Sequence, residues 1–176
     1  MNKPFVVAAV LILLVPTSAL SDPWDKQINR PNRFTVLADF GGQAVLDRET
    51  EVVWERSPDT LQSPWIQAQA QCNLKNVGNR RGWRLPTVQE LASLVDPTVS
   101  SPGPTLPAGH PFMNVRVIGD PTNPLSSSAY WTATTWSVDP NVAWEVEFQT
   151  GVVANINKTG FLYIWCVRGG SGTDLQ

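Results

Sequence analysis

The chain has 176 residues, with 13 basic and 15 acidic side chains and a formal net charge of −2. This length suits one domain that can bury a sizeable core. Beyond the pair Arg80 and Arg81 there is no run of basic residues, so the sequence argues against nucleic acid as a partner.

The first residues have the pattern of an export signal. Lys3 precedes an apolar run from Phe5 to Val15, and small residues then suit cleavage after Ser21. The apolar run is shorter than the roughly 20 residues that cross a bilayer. We therefore expect residues 1–21 to be removed, leaving a net charge of −3 and no stable membrane insertion. An uncleaved N-terminal anchor is the alternative.

Residues 22–42 form an N-terminal segment before the domain, which we place at residues 43–170, with residues 171–176 as a tail. The first part of this segment is polar and contains prolines, so we expect it to be loose. Two strands are predicted next, over residues 43–47 and 51–55, because their residues alternate around a polar turn.

The first helix is predicted over residues 64–76. Ser63 and Pro64 suit a helix start, as a capping hydroxyl followed by proline at the first helical position. Trp65, Ala68 and Cys72 then recur at steps of three and four residues. This spacing places them on one buried face.

The second helix is predicted to begin at Thr87. Thr87 and Glu90 have the spacing of a capping box. Leu91, Leu94 and Val95 form its buried stripe, and the sequence Asp-Pro at 96–97 ends it.

Residues 97–128 contain seven prolines, which exclude regular structure across most of this stretch. A loop of this length in a small domain is functional or mobile. Its middle contains apolar residues, which we expect to pack down onto the domain. These are Phe112, Met113, Val115, Val117 and Ile118.

The end of the chain is predicted to be rich in strands, over residues 130–135, 142–148, 152–156 and 161–167. Tight turns at 150–151 and 158–160 are expected to join the last three. Residues 144, 146 and 148 are apolar and alternate with polar residues, which indicates one buried and one wet face.

The two cysteines, Cys72 and Cys166, predict a disulfide, because an even pair in an exported chain is usually oxidised. The closed loop has about 95 residues, for which loop entropy gives about 4–5 kcal/mol. Two free thiols in the core and a metal site are the alternatives. One histidine and two cysteines do not complete a zinc site without suitably spaced carboxylates.

Four segments together resemble a known family: GWRLPTVQELASLVD (82–96), YWTAT (130–134), AWEVEF (143–148) and WCVRGG (165–170). It is the domain-of-unknown-function family named for the C-terminal domain of the Lcl collagen-like bacterial adhesin. The resemblance covers residues 44–170. The RLPT core also resembles that of formylglycine-generating, sulfatase-modifying enzymes. The resemblance implies an α+β, C-type-lectin-like fold, with two helices packed on small antiparallel β-sheets and a long proline-rich loop.

The same resemblance implies that a disulfide ties the first helix to the last strand, where Cys72 and Cys166 are predicted. The sulfatase-modifying activity depends on a cysteine pair near the substrate cleft. Both cysteines are committed to the disulfide here, so we expect no such activity. No other catalytic set of residues appears in the sequence, so we expect no catalytic residues. We interpret the RLPT element as structural, with Arg84 pairing with a helix-end or loop carbonyl. The residues of this motif are Trp83, Arg84, Leu85, Pro86, Thr87 and Glu90.

Candidate ligand-binding residues are few. His110, the only histidine, lies in the proline-rich loop and is more simply a solvated side chain. Asp139 and Asn141, with Glu145, are the only echo of the calcium ligands of C-type lectins, although Asp-Pro-Asn also forms a plain turn. We therefore expect no cofactor, with calcium as the alternative. Trp136, just past a strand, is the tryptophan we expect to be exposed.

The eight tryptophans allow stacking on sugar rings or anchoring of an interface. Six are assigned to packing because they lie in predicted elements or in the family motifs, and Trp24 lies in the loose N-terminus. We expect a periplasmic or extracellular, non-catalytic binding module that recognises a surface glycan or protein through residues 97–128 and 135–142. The alternatives are a self-associating structural component of the cell envelope and a small enzyme with a cleft near the long loop. The six assigned to packing are Trp54, Trp65, Trp83, Trp131, Trp144 and Trp165.

Overall fold

The structure, a computed structural model, describes residues 32–100, 103–118 and 126–170. The predicted export signal, Trp24 and the C-terminal tail lie outside these residues. Within the described ranges, no helix is long and apolar enough to cross a membrane. The elements in chain order are β1 (Phe34–Val36), a 3-10 turn (Ala38–Phe40), β2 (Ala44–Asp47), β3 (Val52–Glu55), β4 (Gln62–Ser63), α1 (Trp65–Leu74), α2 (Val88–Ala92), β5 (Ser126–Thr135), β6 (Val142–Glu147), β7 (Val153–Asn157), β8 (Phe161–Tyr163) and β9 (Val167–Gly169).

The strands form two small sheets, which confirms a mixed α+β chain with few helices. The first sheet has the order β1-β2-β3-β9 and the second has the order β4-β8-β5-β6-β7. The prediction of purely antiparallel sheets is wrong for one pair, because β5 and β8 are parallel. Strands β1 and β4 were not predicted.

The turn at residues 158–160 does not join a hairpin, contrary to the prediction. Because β6 is antiparallel to both β5 and β7, and β8 is parallel to β5, strands β7 and β8 run in the same direction. The turn therefore moves the chain across the sheet instead of reversing it. It is docked on other elements: Lys158 N donates to Asn141 O at 2.8 Å, and Trp65 N donates to Lys158 O at 3.0 Å.

The predicted last strand, residues 161–167, is wrong. The chain forms β8, leaves the second sheet through residues 164–166 and enters the first sheet as β9. Glu55 holds the crossing segment, because Trp165 Nε1 donates to its backbone oxygen and Cys166 N donates to its carboxylate, both at 2.9 Å. These bonds take the place of a strand ladder.

The second sheet has a hydrophobic core on each face. Tyr130 and Val146 belong to one buried cluster, whereas Trp131 and Ala143 belong to another. Neighbouring residues of a strand point to opposite faces, so both faces of β5 and β6 are covered. The face of β6 that was predicted to be wet is only partly exposed: Glu145 and Glu147 are half-buried, and Ala143 is fully buried. Of the residues predicted to be buried, Val146 and Phe148 are buried, but Trp144 is only partly so.

Helix α1 begins one residue later than predicted. Pro64 is its N-cap and makes no side-chain capping bond. Ser63 instead belongs to β4, and its hydroxyl accepts a hydrogen bond from Gln71 Nε2 at 2.8 Å. Ala68 and Cys72 are buried as predicted, whereas Trp65 is partly exposed.

Helix α2 has the predicted capping box. The Thr87 hydroxyl accepts from Glu90 N at 3.1 Å, and Thr87 N donates to the Glu90 carboxylate at 2.8 Å. The helix ends at Ala92, earlier than predicted. The Ser93 hydroxyl donates to the Glu90 backbone oxygen at 2.7 Å, and this local bond competes with continued helix.

Residues 103–118 have no regular structure and lie against the domain. Phe112 is buried in the core, as expected, but Met113 and Ile118 are exposed. Tyr130 and Tyr163 hold this segment, because the Tyr130 hydroxyl accepts from the backbone of residue 116 and the Tyr163 hydroxyl donates to that of residue 118. The end of the predicted 97–128 loop is the start of β5.

Candidate functional site

The disulfide between Cys72 and Cys166 is present, with the two Cα atoms 5.5 Å apart. This excludes the alternatives of free thiols and of a cysteine-bound metal. Cys72 lies on α1, as predicted, but Cys166 lies in the segment between β8 and β9 instead of on a strand. We name residues 82–90 and 165–170, together with Cys72, the closure region.

Arg84 joins the RLPT element to the end of the chain. Its guanidinium donates to the two carboxylate oxygens of Glu90 at 2.8 and 2.7 Å and to Gly169 O at 2.7 Å. Its backbone N–H and C=O both bond Val167 at 2.8 Å. Burial alone would raise the pKa of Glu90, but hydrogen bonds from Arg84 and Thr87 hold that pKa below its ordinary value. These are the contacts of a structural motif.

Gly170 lies where a side chain would not fit. Its φ is +72°, and a Cβ there would lie 2.8 Å from Glu90 Oε1 and 2.9 Å from a methyl of Val52. Only glycine combines this backbone conformation with so close an approach. Gly169 and Gly170, which end the family motif, therefore also help to join the end of the chain to Arg84 and Glu90.

A second group of residues lies where three segments meet at the surface: the turn 136–142, the turn 158–160 and the start of α1. Lys158 joins them. Its Nζ donates to the Thr135 hydroxyl at 2.8 Å and lies 3.9 Å from the centre of the Trp65 ring. Its backbone bonds Asn141 and Trp65, as described above. We name the surface formed by Trp65, Trp136, Val138, Asp139, Asn141 and Lys158 the turn surface.

The turn surface exposes both apolar and polar groups. Val138 is 74% exposed, and the side chains of Trp65 and Trp136 are partly exposed. Trp65 is fixed in place, since its Nε1 donates to Thr132 O at 2.8 Å. Burial lowers the pKa of Lys158, while the charge of Asp139 opposes this shift.

Asp139 and Asn141 form a self-contained turn. Asp139 Oδ1 accepts from Asn141 N at 2.8 Å and from Asn141 Nδ2 at 3.1 Å. Glu145 lies three residues along β6 from Val142, a distance of about 10 Å, and pairs in register with Trp131 and Ala154. The structure therefore does not bring the three calcium candidates together.

Glu145 and His110 are each partly buried. Burial and the charge of Glu147 raise the pKa of Glu145, and its Oε2 has no hydrogen-bond partner within the described residues. His110 stacks on Phe112, with ring centres 5.8 Å apart, and burial lowers its pKa. Within the described residues, the contacts of His110 are with Phe112 and Pro107, and none is with the turn that holds Asp139.

Metal-ligating side chains do not converge anywhere in the described ranges: no group of three or more His, Cys, Asp or Glu residues could hold an ion. The residue that sequence reasoning missed is Lys158, a turn lysine with no motif around it. Trp65 was assigned to packing, although its place directly after Pro64, at the first turn of a helix, is a position that is often partly exposed.

Comparison with known proteins identifies the family of the chain. No curated protein matches the chain significantly. A family model described as the Lcl C-terminal domain matches residues 43–168, which include the closure region apart from its last two residues, and the whole turn surface. The resemblance of the four motif segments is thereby confirmed, and this chain belongs to the Lcl C-terminal domain family.

Proposed function

We propose that this protein is an exported, non-catalytic binding module with a C-type-lectin-like fold, and that it recognises a glycan at the turn surface. The observation that carries the proposal is the position of Lys158, which joins two turns and the start of α1 into one surface beside the partly exposed Trp65. The partly exposed Trp136 lies at the start of the first of these turns.

The chemistry of this surface suits a sugar. The flat face of a tryptophan stacks on the C–H groups of a pyranose ring, and its burial supplies much of the binding energy. Asp139, Asn141 and Lys158 offer acceptors and donors for hydroxyl groups beside it. Because backbone hydrogen bonds already fix the turns, little ordering entropy is lost when a ligand binds.

The fold and export parts of the proposal have separate support. The proposal of a C-type-lectin-like fold is supported by the two helices, the two small sheets and the disulfide that ties α1 to the segment before the last strand. The N-terminal sequence pattern and the disulfide both favour an oxidising, periplasmic or extracellular compartment.

The test is a glycan array probed with the exported protein and two matched variants. Trp136→Ala removes one aromatic platform, and we expect at least tenfold weaker binding, equivalent to about 1.4 kcal/mol. Leu74→Ala is the control, since Leu74 is 83% exposed at the far end of α1, and it should bind as the wild type does. Equal binding by Trp136→Ala and the wild type would remove the turn surface from the proposal.

Two rival functions give different outcomes. A blank array together with capture of a defined surface protein would replace the glycan by a protein partner. Self-association is favoured by the exposed apolar residues Leu61 and Ile66, which are 79% and 67% exposed. Light scattering that shows a mass rising with concentration, abolished by Ile66→Ser, would support a structural role in the envelope instead.

A further inference from the structure

Three charged side chains meet at the end of α1, beside the backbone of the two disulfide-bonded cysteines. Lys75 Nζ lies 2.6 Å from Glu55 Oε1 and 2.7 Å from Asp59 Oδ1. The side chains of Lys75, Glu55 and Asp59 are 18%, 4% and 32% exposed, so water reaches the group mainly from the Asp59 side.

The backbone at each of these residues is fixed. Glu55 N donates to Cys166 O at 3.1 Å, Asp59 N to Ile164 O at 3.0 Å and Lys75 N to Cys72 O at 3.0 Å. The Glu55 carboxylate is further oriented by Cys166 N. An amine and a carboxyl group are therefore held in contact by the surrounding fold, with the carboxyl carbon one bond beyond a hydrogen-bonded oxygen.

We propose that Lys75 and Asp59 react with each other to form an intramolecular isopeptide bond, with Glu55 as the proton carrier. Groups held close to their reactive separation of about 3–3.5 Å can react with effective molarities of about 10⁵–10⁸ M. Such proximity lets an amide form from an ordinary carboxyl group without an activating co-reactant.

The step balances without an oxidant or a cofactor. The Glu55 carboxylate takes one proton from the Lys75 ammonium and passes it to an oxygen of Asp59, which makes the Asp59 carboxyl group neutral and open to attack. The neutral amine then attacks Cγ of Asp59 to form the Nζ–Cγ bond, and Glu55 carries a second proton from the nitrogen to the same Asp59 oxygen. The Cγ–O bond breaks and that oxygen leaves as water, while Glu55 returns to its carboxylate.

The surroundings of Glu55 favour this proton transfer. Burial raises the pKa of Glu55 above its ordinary value, even though Lys75 opposes the shift, so Glu55 accepts a proton more readily than an exposed glutamate does. Burial also favours the neutral amine of Lys75, but attraction to Glu55 and the hydrogen bond with Asp59 outweigh it and raise its pKa. The raised pKa of Lys75 opposes loss of its proton, and the step relies on Glu55 Oε1, which lies 2.6 Å from Nζ as a direct proton acceptor.

The experiment is intact-mass and peptide analysis of the folded, oxidised wild-type protein after denaturation, reduction and alkylation. We expect a mass lower than that of the sequence by one water molecule. Trypsin should fail to cut after Lys75, which gives one peptide over residues 57–80 that is also lighter by one water. A full mass, or normal cleavage after Lys75, would overturn the proposal.

Variants distinguish the isopeptide bond from other reactions that also remove one water molecule. A succinimide at Asp59 has the same mass but leaves Lys75 open to trypsin, and it would persist in Lys75→Arg, where the isopeptide bond is lost. Glu55→Gln keeps the amine and the carboxyl group but not the proton carrier, so we expect the full mass. The matched control Glu51→Gln, in the exposed turn before β3, should keep the isopeptide bond. If Glu55→Gln also had a mass lower by one water molecule, Glu55 could not be the proton carrier.

Discussion

The closure region and the turn surface differ in how their residues are used. The closure region joins α1, α2 and the last strand. It does so through a disulfide, the bidentate Arg84–Glu90 pair and a glycine that has no room for a side chain. On the turn surface, Lys158 is the principal link, and the side chains beside it remain partly exposed.

This difference shows which residues identify the sequence as a member of its family. The distinctive RLPT and WCVRGG segments hold the chain ends together, and their polar groups are occupied by one another. The side chains that remain partly exposed around Lys158 lie in two turns and at the start of α1, where there is no distinctive motif. A distinctive motif in this protein therefore indicates residues that join the chain ends. Substitutions in the closure region should change stability, and substitutions on the turn surface should change binding.

The largest expected effect comes from the disulfide. Replacing both cysteines, Cys72→Ala with Cys166→Ala, should lower the free energy of unfolding by about 4 kcal/mol, because the bond closes a loop with a sequence separation of 94 residues. Urea unfolding measures this loss. If the reduced wild type and the double variant were as stable as the oxidised protein, the closure region would not hold the fold as described.

The next effect comes from Arg84. Arg84→Met should cost about 2 kcal/mol, because Glu90 and the Gly169 carbonyl lose charge-assisted hydrogen bonds. The control Arg81→Met changes an exposed side chain and should stay within about 0.5 kcal/mol. Similar losses in both variants, measured by urea unfolding, would show that loss of positive charge matters and not the pairing of Arg84.

The pH dependence of stability tests the same contact from the side of Glu90. Its folded-state pKa is below the ordinary value of 4.5, so its contribution is present above that value and lost as the pH falls through the folded-state pKa. The gap in unfolding free energy between wild type and Glu90→Gln should therefore shrink between about pH 6 and about pH 3. A gap that stays constant over this range would contradict the assignment.

The sequence could predict the local part of closure. The capping box depends on Thr87 and Glu90, three residues apart, and composition and compartment together favour the cysteine pair. The division of residues 161–167 between two sheets could not be predicted in the same way. It depends on Glu55, which lies 111 residues before Cys166 in the chain, and a contact over that distance leaves no periodic pattern.

The turn surface was predicted only in part for the same reason. Trp136 was predicted from its place just past a strand, and Asp139 and Asn141 from their likeness to calcium ligands, both of which are local signals. Lys158 and Trp65 were missed, since their stacking joins a late turn to an early helix. The direction of β8 decides whether Lys158 meets Trp65. An apolar stretch such as residues 161–167 indicates a strand without indicating its direction or its sheet.

The smallest expected effect comes from Lys158, and it is the sharpest test of the comparison. Lys158→Met keeps the length of the side chain but loses the bond to Thr135 and the stacking of a cation on Trp65, which is worth about 0.5–1 kcal/mol at an exposed site. The backbone bonds of residue 158 to Asn141 and Trp65 do not depend on its side chain, so the two turns should stay docked. We therefore expect a loss of unfolding free energy below about 1 kcal/mol, together with weaker glycan binding. A loss as large as that of Arg84→Met would show that Lys158 is a closure residue in its own right, and the separation between the two regions would fail.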